Sequence, residues 1–221
     1  MKKLHDRYFK QAKREGHLAR SYYKLEELDR RNKLFRKNDR VLDLGACPGS
    51  WLEYILETVG EGGVACAVDL NPIDPRFKGR VTFRKTDIRE LAPDEFREVT
   101  DFFDAVVSDM APSTSGIKSI DQARSQELCE TAFAYAEKVL KPGGNFVCKV
   151  LEGPDFQYFR QQLKPRFREI KTQKPDASRD ESMETYLIGL GYGLPPKVEK
   201  ELPPKVVEAR KKARRKRDRR K

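Results

Sequence analysis

The sequence predicts a parallel, doubly wound α/β sheet, and three observations point to it. From Arg40 onward, short apolar runs alternate with longer segments whose apolar residues recur at helical spacing, the rhythm of β-α-β units. The first of those runs, residues 41–44, breaks directly into Gly45-Ala46-Cys47-Pro48-Gly49, a strand end built so that backbone rather than side chain can lie against a ligand. A chain of 221 residues is long enough for one such domain with a sizeable core, plus appendages.

Taken in order, residues 1 to about 38 read as two polar helices. The second is opened by Ser21 as N-cap and carries Tyr22, Leu25 and Leu28 at helical spacing, so residues 1–38 are expected to form a basic helical arm. A strand at 40–44, a helix from 50 to about 58, a glycine turn at 60–63 and strands at 64–68, 80–83 and 104–108 follow. A long helix over 120–140 sets Leu128, Ala132, Tyr135 and Val139 on one face, and Lys141-Pro142-Gly143-Gly144 stops it. A central strand at 145–151, a helix at 156–163 and closing strands at 167–170 and 185–188 complete a globular domain over 39–192. Beyond Tyr192 the apolar periodicity ends, leaving a basic, Pro-containing tail over 193–221 that is either disordered until bound or a basic helix.

The formal net charge of +11 is unevenly spread. Residues 1–40 hold 14 Lys/Arg against 6 Asp/Glu, residues 197–221 hold 13 against 4, and the stretch between is acidic, with 19 against 25. Basic flanks on an acidic middle point to a polyanionic partner, foremost nucleic acid, because phosphate neutralisation releases counterions without any reading of sequence. An anionic membrane fits less well, since the tail interleaves no aromatic or long apolar residues and no segment reaches the length of a membrane span. Cys47, Cys66, Cys129 and Cys148 form no C-x-x-C pair, and only His5 and His17 accompany them, so neither a zinc site nor a disulfide framework is expected. With no signal peptide at the start, a reducing cytoplasm is the expected compartment.

The glycine loop after residue 44 reads as a nucleotide-type cofactor loop. Its spacing matches neither G-x-G-x-x-G nor G-x-x-x-x-G-K-[ST], which sets NAD and ATP phosphate loops aside. Lys149 is the other anomaly. A cation amid Phe146, Val147, Cys148, Val150 and Leu151 sits at real cost in a central strand, so it is expected to point into a site or to pair with Asp109 at the neighbouring strand end.

The loop resembles the D-L-G-x-x-P-G pattern of class I methyltransferases, and that resemblance implies S-adenosyl-L-methionine as cofactor, with S-adenosyl-L-homocysteine as product. Asp69, closing VACAVD, then stands where a carboxylate accepts the ribose hydroxyls, and Asp87 where an adenine amino group is read. A strand-end Asp is also a common turn cap. Further motifs narrow the likeness: AKREGHLARSYYKL at 12–25, VLDLGACPGSW at 41–51, SDMAPSTSG at 108–116, DQARSQEL at 121–128, LKPGGNFVCKVLEG at 140–153 and SRDESMETYLIG at 178–189. Together, in colinear order over about residues 6–190, they resemble the FtsJ-type RNA 2′-O-ribose methyltransferases. The resemblance implies a seven-stranded, mostly parallel Rossmann-like sheet with helices on both faces. It also implies a catalytic tetrad at Lys24, Asp109, Lys149 and Glu184, and cofactor binding by Gly45, Gly49, Trp51, Asp69, Asp87 and Asp109. Two positions depart from the family pattern: Ser50 where glycine is frequent, and Met183 where a basic residue is common.

What the resemblance implies for function is methylation of a ribose 2′-hydroxyl, with Lys149 either a neutral general base or a charged partner of the developing alkoxide, and no metal. The DMAP sequence at 109–112 is nearer the ribosomal RNA enzymes than the tRNA enzymes. The expected substrate is therefore a uridine of large-subunit (23S-type) rRNA within the large ribosomal subunit, acted on by a monomer. A tRNA 2′-O-methyltransferase is the near alternative, a cap methyltransferase a remoter one, and a non-catalytic RNA-binding assembly factor the rival from another class.

Overall fold

The computed structural model describes residues 2–178 and 182–195, so the basic tail from 196 onward lies outside the described residues. Seven strands build one sheet: β1 (Arg40–Leu44), β2 (Val64–Asp69), β3 (Thr82–Lys85), β4 (Phe103–Ser108), β5 (Leu140–Leu151), β6 (Phe167–Gln173) and β7 (Glu184–Tyr192). Their spatial order is β3-β2-β1-β4-β5-β7-β6. The first five run parallel, and β7 enters antiparallel between β5 and β6.

Both faces of this sheet are covered, which is why its central strands are apolar without alternation. Successive side chains still divide between the faces. Val41, Ala67, Val107 and Val147 pack with Leu25 and Leu28 of α2 (Ser21–Asn32) and with Leu52 and Ile55 of α3 (Ser50–Val59). Leu42, Val68, Val106 and Phe146 pack on the other side with Ala132, Ala136 and Val139 of α4 (Lys118–Val139) and Phe159 and Leu163 of α5 (Phe156–Leu163). The expected doubly wound sheet of seven strands is the observed one.

Of the segment expected as a basic arm, α2 buries Leu25 and Leu28 completely. Two of its polar residues, Asp29 and Tyr22, fasten it. Asp29 accepts the backbone N–H groups of Leu34 and Phe35 at 2.7 and 3.1 Å, which turns the chain towards β1, and the hydroxyl of Tyr54 on α3 at 2.7 Å. Tyr22 donates to Glu57 across 2.6 Å, and Trp51 donates its indole N–H to the carbonyl of Ser21 at 3.0 Å. The preceding helix, α1 (Lys2–Glu15), is tied by Glu15, which accepts from the Tyr23 hydroxyl at 2.6 Å.

Three local expectations shift. The N-cap of α2 is Arg20 rather than Ser21, which is already helical and presents its carbonyl to Trp51. The long helix stops at Val139, and β5 begins at once with Leu140, which pairs with Phe103 through the Lys141–Gly144 stretch before a register shift. β7, expected over 185–188, extends on through Gly189 and Gly191 to Tyr192. At Gly189 the phenyl ring of Phe167 lies where a side chain would stand, 2.8 Å from an added Cβ, so the glycine admits a close approach rather than ending the strand.

Candidate active site

The carboxyl ends of β1 to β4 surround a cleft of about 430 Å³. Its floor is the loop after β1. Gly45 has φ +81°, and an added Cβ there would meet the Met110 side chain at 2.5 Å and its backbone at 3.0 Å, so only glycine lets the loop and the β4 end come together. Gly49, at φ +119°, caps α3 with the Phe77 ring 2.2 Å from where its Cβ would be. Leu128, expected on the packed face of α4, lines the cleft instead, and Cys129 takes the packed position beside it.

Gly45, Asp69, Asp87 and Asp109 all line this cleft. Gly49 and Trp51 do not: Gly49 shapes the turn beneath it, and Trp51 is buried between α2 and the Tyr186 ring, 5.8 Å away. Asp69 accepts one backbone N–H on each oxygen, from Cys47 at 2.9 Å and Asn71 at 2.7 Å, which fixes the carboxylate plane and leaves a lone pair on each oxygen for a ligand. Asp87 caps the turn that follows β3 by accepting the Arg89 N–H at 2.9 Å and is also forked by the Arg89 guanidinium at 3.0 and 2.6 Å. The side-chain and then the backbone bond from Arg89 hold its carboxyl below the usual range.

Asp109 on the cleft wall and Lys24, Lys149 and Glu184 beyond it are the four tetrad residues expected from resemblance, delivered by four elements. Parallel register between β4 and β5 sets Ser108 beside Cys148, so Asp109 and Lys149 are the next neighbours up. Antiparallel register between β5 and β7 sets Lys149 opposite Tyr186 and Leu151 opposite Glu184. Lys149 Nζ lies 3.0 Å from Asp109 Oδ1 and also donates to the Asp109 carbonyl. Lys24, nearly buried on α2, meets Glu184 Oε1 at 2.5 Å. The neighbour at Ser178 donates to the same Glu184 oxygen at 3.3 Å.

Tyr186 joins these two ion pairs, and sequence reasoning missed it. Its hydroxyl is 2.8 Å from Asp109 Oδ1 and 3.1 Å from Glu184 Oε1, on a side chain with no exposed surface. Burial first, then the two carboxylates, push the phenol well above its ordinary pKa, so it remains a neutral donor between two anions. At Asp109 burial pulls upward, but the ammonium groups of Lys149 and Lys24 and the bonds from Lys149 and Tyr186 outweigh it and hold the carboxyl below its ordinary value.

Asp43 of β1 is a second unforeseen acid. It is fully buried, neither oxygen has a hydrogen-bond partner among the described residues, and burial, with Asp109 and Asp69 adding to it, pushes its carboxyl well above the ordinary range. The loop after β4 is pinned separately, by Asp121 accepting the Ser115 N–H at 2.7 Å and hydroxyl at 2.8 Å. Apart from the tetrad, His17, Glu53 and Glu57 bring ligand-type atoms within 4.8 Å of one another. No helix among the described residues is long and apolar enough to cross a membrane.

The chain that carries this arrangement is similar, over most of its length, to known proteins. A relative in Nitratidesulfovibrio vulgaris (strain DP4), named ribosomal RNA large subunit methyltransferase E, is 47% identical over 195 residues, covering 87% of this chain and 95% of the relative. Proteins of the same name in Bdellovibrio bacteriovorus and Methanobrevibacter smithii are 45% and 42% identical, covering 84% and 87% of this chain. A crystal structure described as a ribosomal RNA methyltransferase from Plasmodium falciparum superposes with a TM-score of 0.69 at 27% identity, over 79% of this chain and 97% of that one. The model of the FtsJ-like methyltransferases matches residues 18–192, from the loop before α2 to the last residue of β7, and to that family this chain belongs.

Proposed function

We propose that this chain transfers a methyl group from S-adenosyl-L-methionine to a ribose 2′-hydroxyl of RNA, a uridine of large-subunit rRNA held within the large ribosomal subunit. One observation carries the reading: two ion pairs, Lys149 with Asp109 and Lys24 with Glu184, joined through the buried phenol of Tyr186 and sharing Asp109 with the cleft. The names of the relatives support the choice of RNA.

The cleft suits the cofactor. Gly45 leaves bare backbone where a side chain would intrude, Asp69 keeps acceptor capacity for two hydroxyls, and Asp87 adds a carboxylate farther along. Bound there, S-adenosylmethionine supplies an electrophilic methyl on a sulfonium sulfur. The chain's own task is to orient a weak nucleophile and manage one proton. Asp109, kept ionised by its cationic neighbours, grips Lys149 at both its carboxylate and its carbonyl and so fixes the Nζ position. A neutral Lys149 accepts the hydroxyl proton; a charged one steadies the developing alkoxide while the hydroxyl proton passes to bulk water. Lys24 and Glu184 hold the far side of the ribose site, with Tyr186 setting the separation between the two pairs.

The test is transfer of labelled methyl from S-adenosylmethionine to large ribosomal subunits, with the 2′-O-methyl group mapped in cells with and without the protein. Lys149→Ala should abolish transfer while cofactor binding survives. Lys149→Arg keeps a charge at every working pH and cannot act as a base, so activity in that variant assigns the electrostatic role. A methyl found on a base or only on tRNA, or full activity in Lys149→Ala, overturns the proposal.

A further inference from the structure

At the opposite end of the sheet lies a second and larger cleft, of about 620 Å³. Asp39 just before β1, Asp104 at the start of β4, Asn145 on β5 and Gly191 near the end of the antiparallel β7 line it, which sets it at the amino ends of the parallel strands. Four cations border it: Lys33, Arg36, Lys141 and Arg168. Its three carboxylates are already engaged. Asp104 takes Lys141 Nζ and, at 2.7 Å, the Arg40 N–H; Asp39 accepts the Arg36 N–H at 2.7 Å; Glu169 has Lys171 Nζ at 3.7 Å. The exposed side chains of Lys33, Arg36 and Arg168 make no ion pair at bonding distance among the described residues. Three uncommitted cations around a concavity are the footprint of a phosphate-bearing ligand.

A further feature extends that footprint. Leu194 and Pro195 form part of the cleft wall, and the chain runs on from there into residues 197–221, with 13 Lys/Arg against 4 Asp/Glu. In sequence, then, the wall of a formed cleft is followed by the most basic stretch of the chain. Resting on the RNA-methylation reading above, we propose that this cleft is a second RNA-binding site, occupied by phosphates of an rRNA segment other than the one carrying the methylated ribose. From Asn145 in the cleft to Lys149 in the tetrad the strand covers about 13 Å at roughly 3.3 Å per residue, with the body of the sheet between the two openings. A folded RNA with more than one segment in reach engages both ends; a short single strand engages one.

The experiment compares the full chain with the combined variant Lys33→Asn, Arg36→Gln, Arg168→Gln, Asn being chosen because Lys33 has φ +57°. Two probes are used: a folded large-subunit rRNA fragment and a short oligonucleotide holding only the target nucleotide. The expected result is weaker binding of the folded fragment and a higher KM for it. The slope of log affinity against log salt should fall in magnitude by roughly 2–3, at about 0.7–0.9 for each phosphate that is no longer neutralised. Oligonucleotide binding and S-adenosylmethionine binding should match the parent chain, the latter also reporting that the fold is intact. Deleting residues 197–221 should lower the slope again.

An unchanged slope on the folded fragment overturns the second site. Equal losses on both probes overturn it too, by assigning these cations to the methylated segment. Losses on intact subunits but not on naked rRNA identify the occupant as a ribosomal protein and overturn the RNA assignment. Methyl transfer by the parent chain is measured in parallel, so failure of RNA methylation and failure of the second site are read separately.

Discussion

Replacing Tyr186 with phenylalanine isolates the link between the two halves of the tetrad. Phe keeps the ring that packs against Trp51 and opens no cavity, so the hydroxyl alone is removed. That hydroxyl stands 2.8 Å from Asp109 and 3.1 Å from Glu184, and its proton is shared between two carboxylates. A hydrogen bond to a charged group contributes about 1.5–3 kcal/mol, and Asp109 and Glu184 keep Lys149 and Lys24 as partners, so the variant should lose about that much stability and remain folded. If the link also sets the spacing of the ion pairs in the transition state, the same energy appears in the barrier. At about 1.4 kcal/mol per decade, kcat falls roughly 10- to 100-fold, with KM for RNA moving far less. Loss of a bond that lowers the Asp109 carboxyl should also raise the acidic limb of the pH-rate profile. Urea melts and single-turnover methyl transfer on ribosomal subunits measure both quantities. A Tyr186→Phe protein with parental kcat and parental stability would refute the linking role.

Asp43→Asn should stabilise the protein at neutral pH. An acid whose folded pKa is raised contributes most at low pH and loses that contribution as pH climbs through the unfolded and then the folded value, so the parent should weaken on that rise and the Asn variant should not; melts that coincide across pH count against an unpartnered Asp43. Asp109 has the opposite sign: its carboxyl is lowered, its contribution is present above the unfolded value and disappears as pH falls through the folded one, so Asp109→Asn should flatten the acid side of the stability curve. Asp69→Ala should weaken S-adenosylmethionine binding at least tenfold by calorimetry with the fold retained, and unchanged affinity would remove that carboxylate from the ribose. Gly45→Ala, which drives a Cβ to 2.5 Å from Met110 at φ +81°, should cost about 1–3 kcal/mol in a thermal melt; a neutral result would show that the loop yields freely.

The sheet was legible because its central strands are short apolar runs and its turns are glycine-rich, and Lys149 was legible because a cation in an apolar strand has no cheap alternative. Tyr186 was not, since a tyrosine between Thr185 and Leu187 reads as ordinary strand packing until β7 is seen to set it opposite Lys149. Asp43 was hidden for the same reason: its burial depends on α2 and α3 closing over the sheet, which no local pattern announces. The polar residues of α2 suggested a surface helix. Asp29 and Tyr22 are instead spent on long-range bonds to Tyr54 and Glu57, contacts that exist only once the chain has folded. Trp51 and Gly49 belong to the motif that carried the resemblance, yet neither lines the cleft: Gly49 shapes the turn after β1 and Trp51 is buried.

The insertion of β7 between β5 and β6 also sets a timetable for synthesis. Glu184 and Tyr186 ride on β7, the last strand in chain order among the described residues, and that strand has no berth until β6, made just before it, stands away from β5. Until then Lys149 borders an open sheet edge, and Lys24, made early, waits for its carboxylate. A nascent chain can therefore assemble the glycine-floored cleft from β1 to β4 while its chemistry is still unfinished, and the tetrad closes in the same event that seals the sheet. Pairing one residue out of register would turn Glu184 and Tyr186 to the opposite face and bring a bulkier neighbour onto Phe167 where Gly189 belongs, so misthreaded molecules are silent as catalysts rather than merely slow.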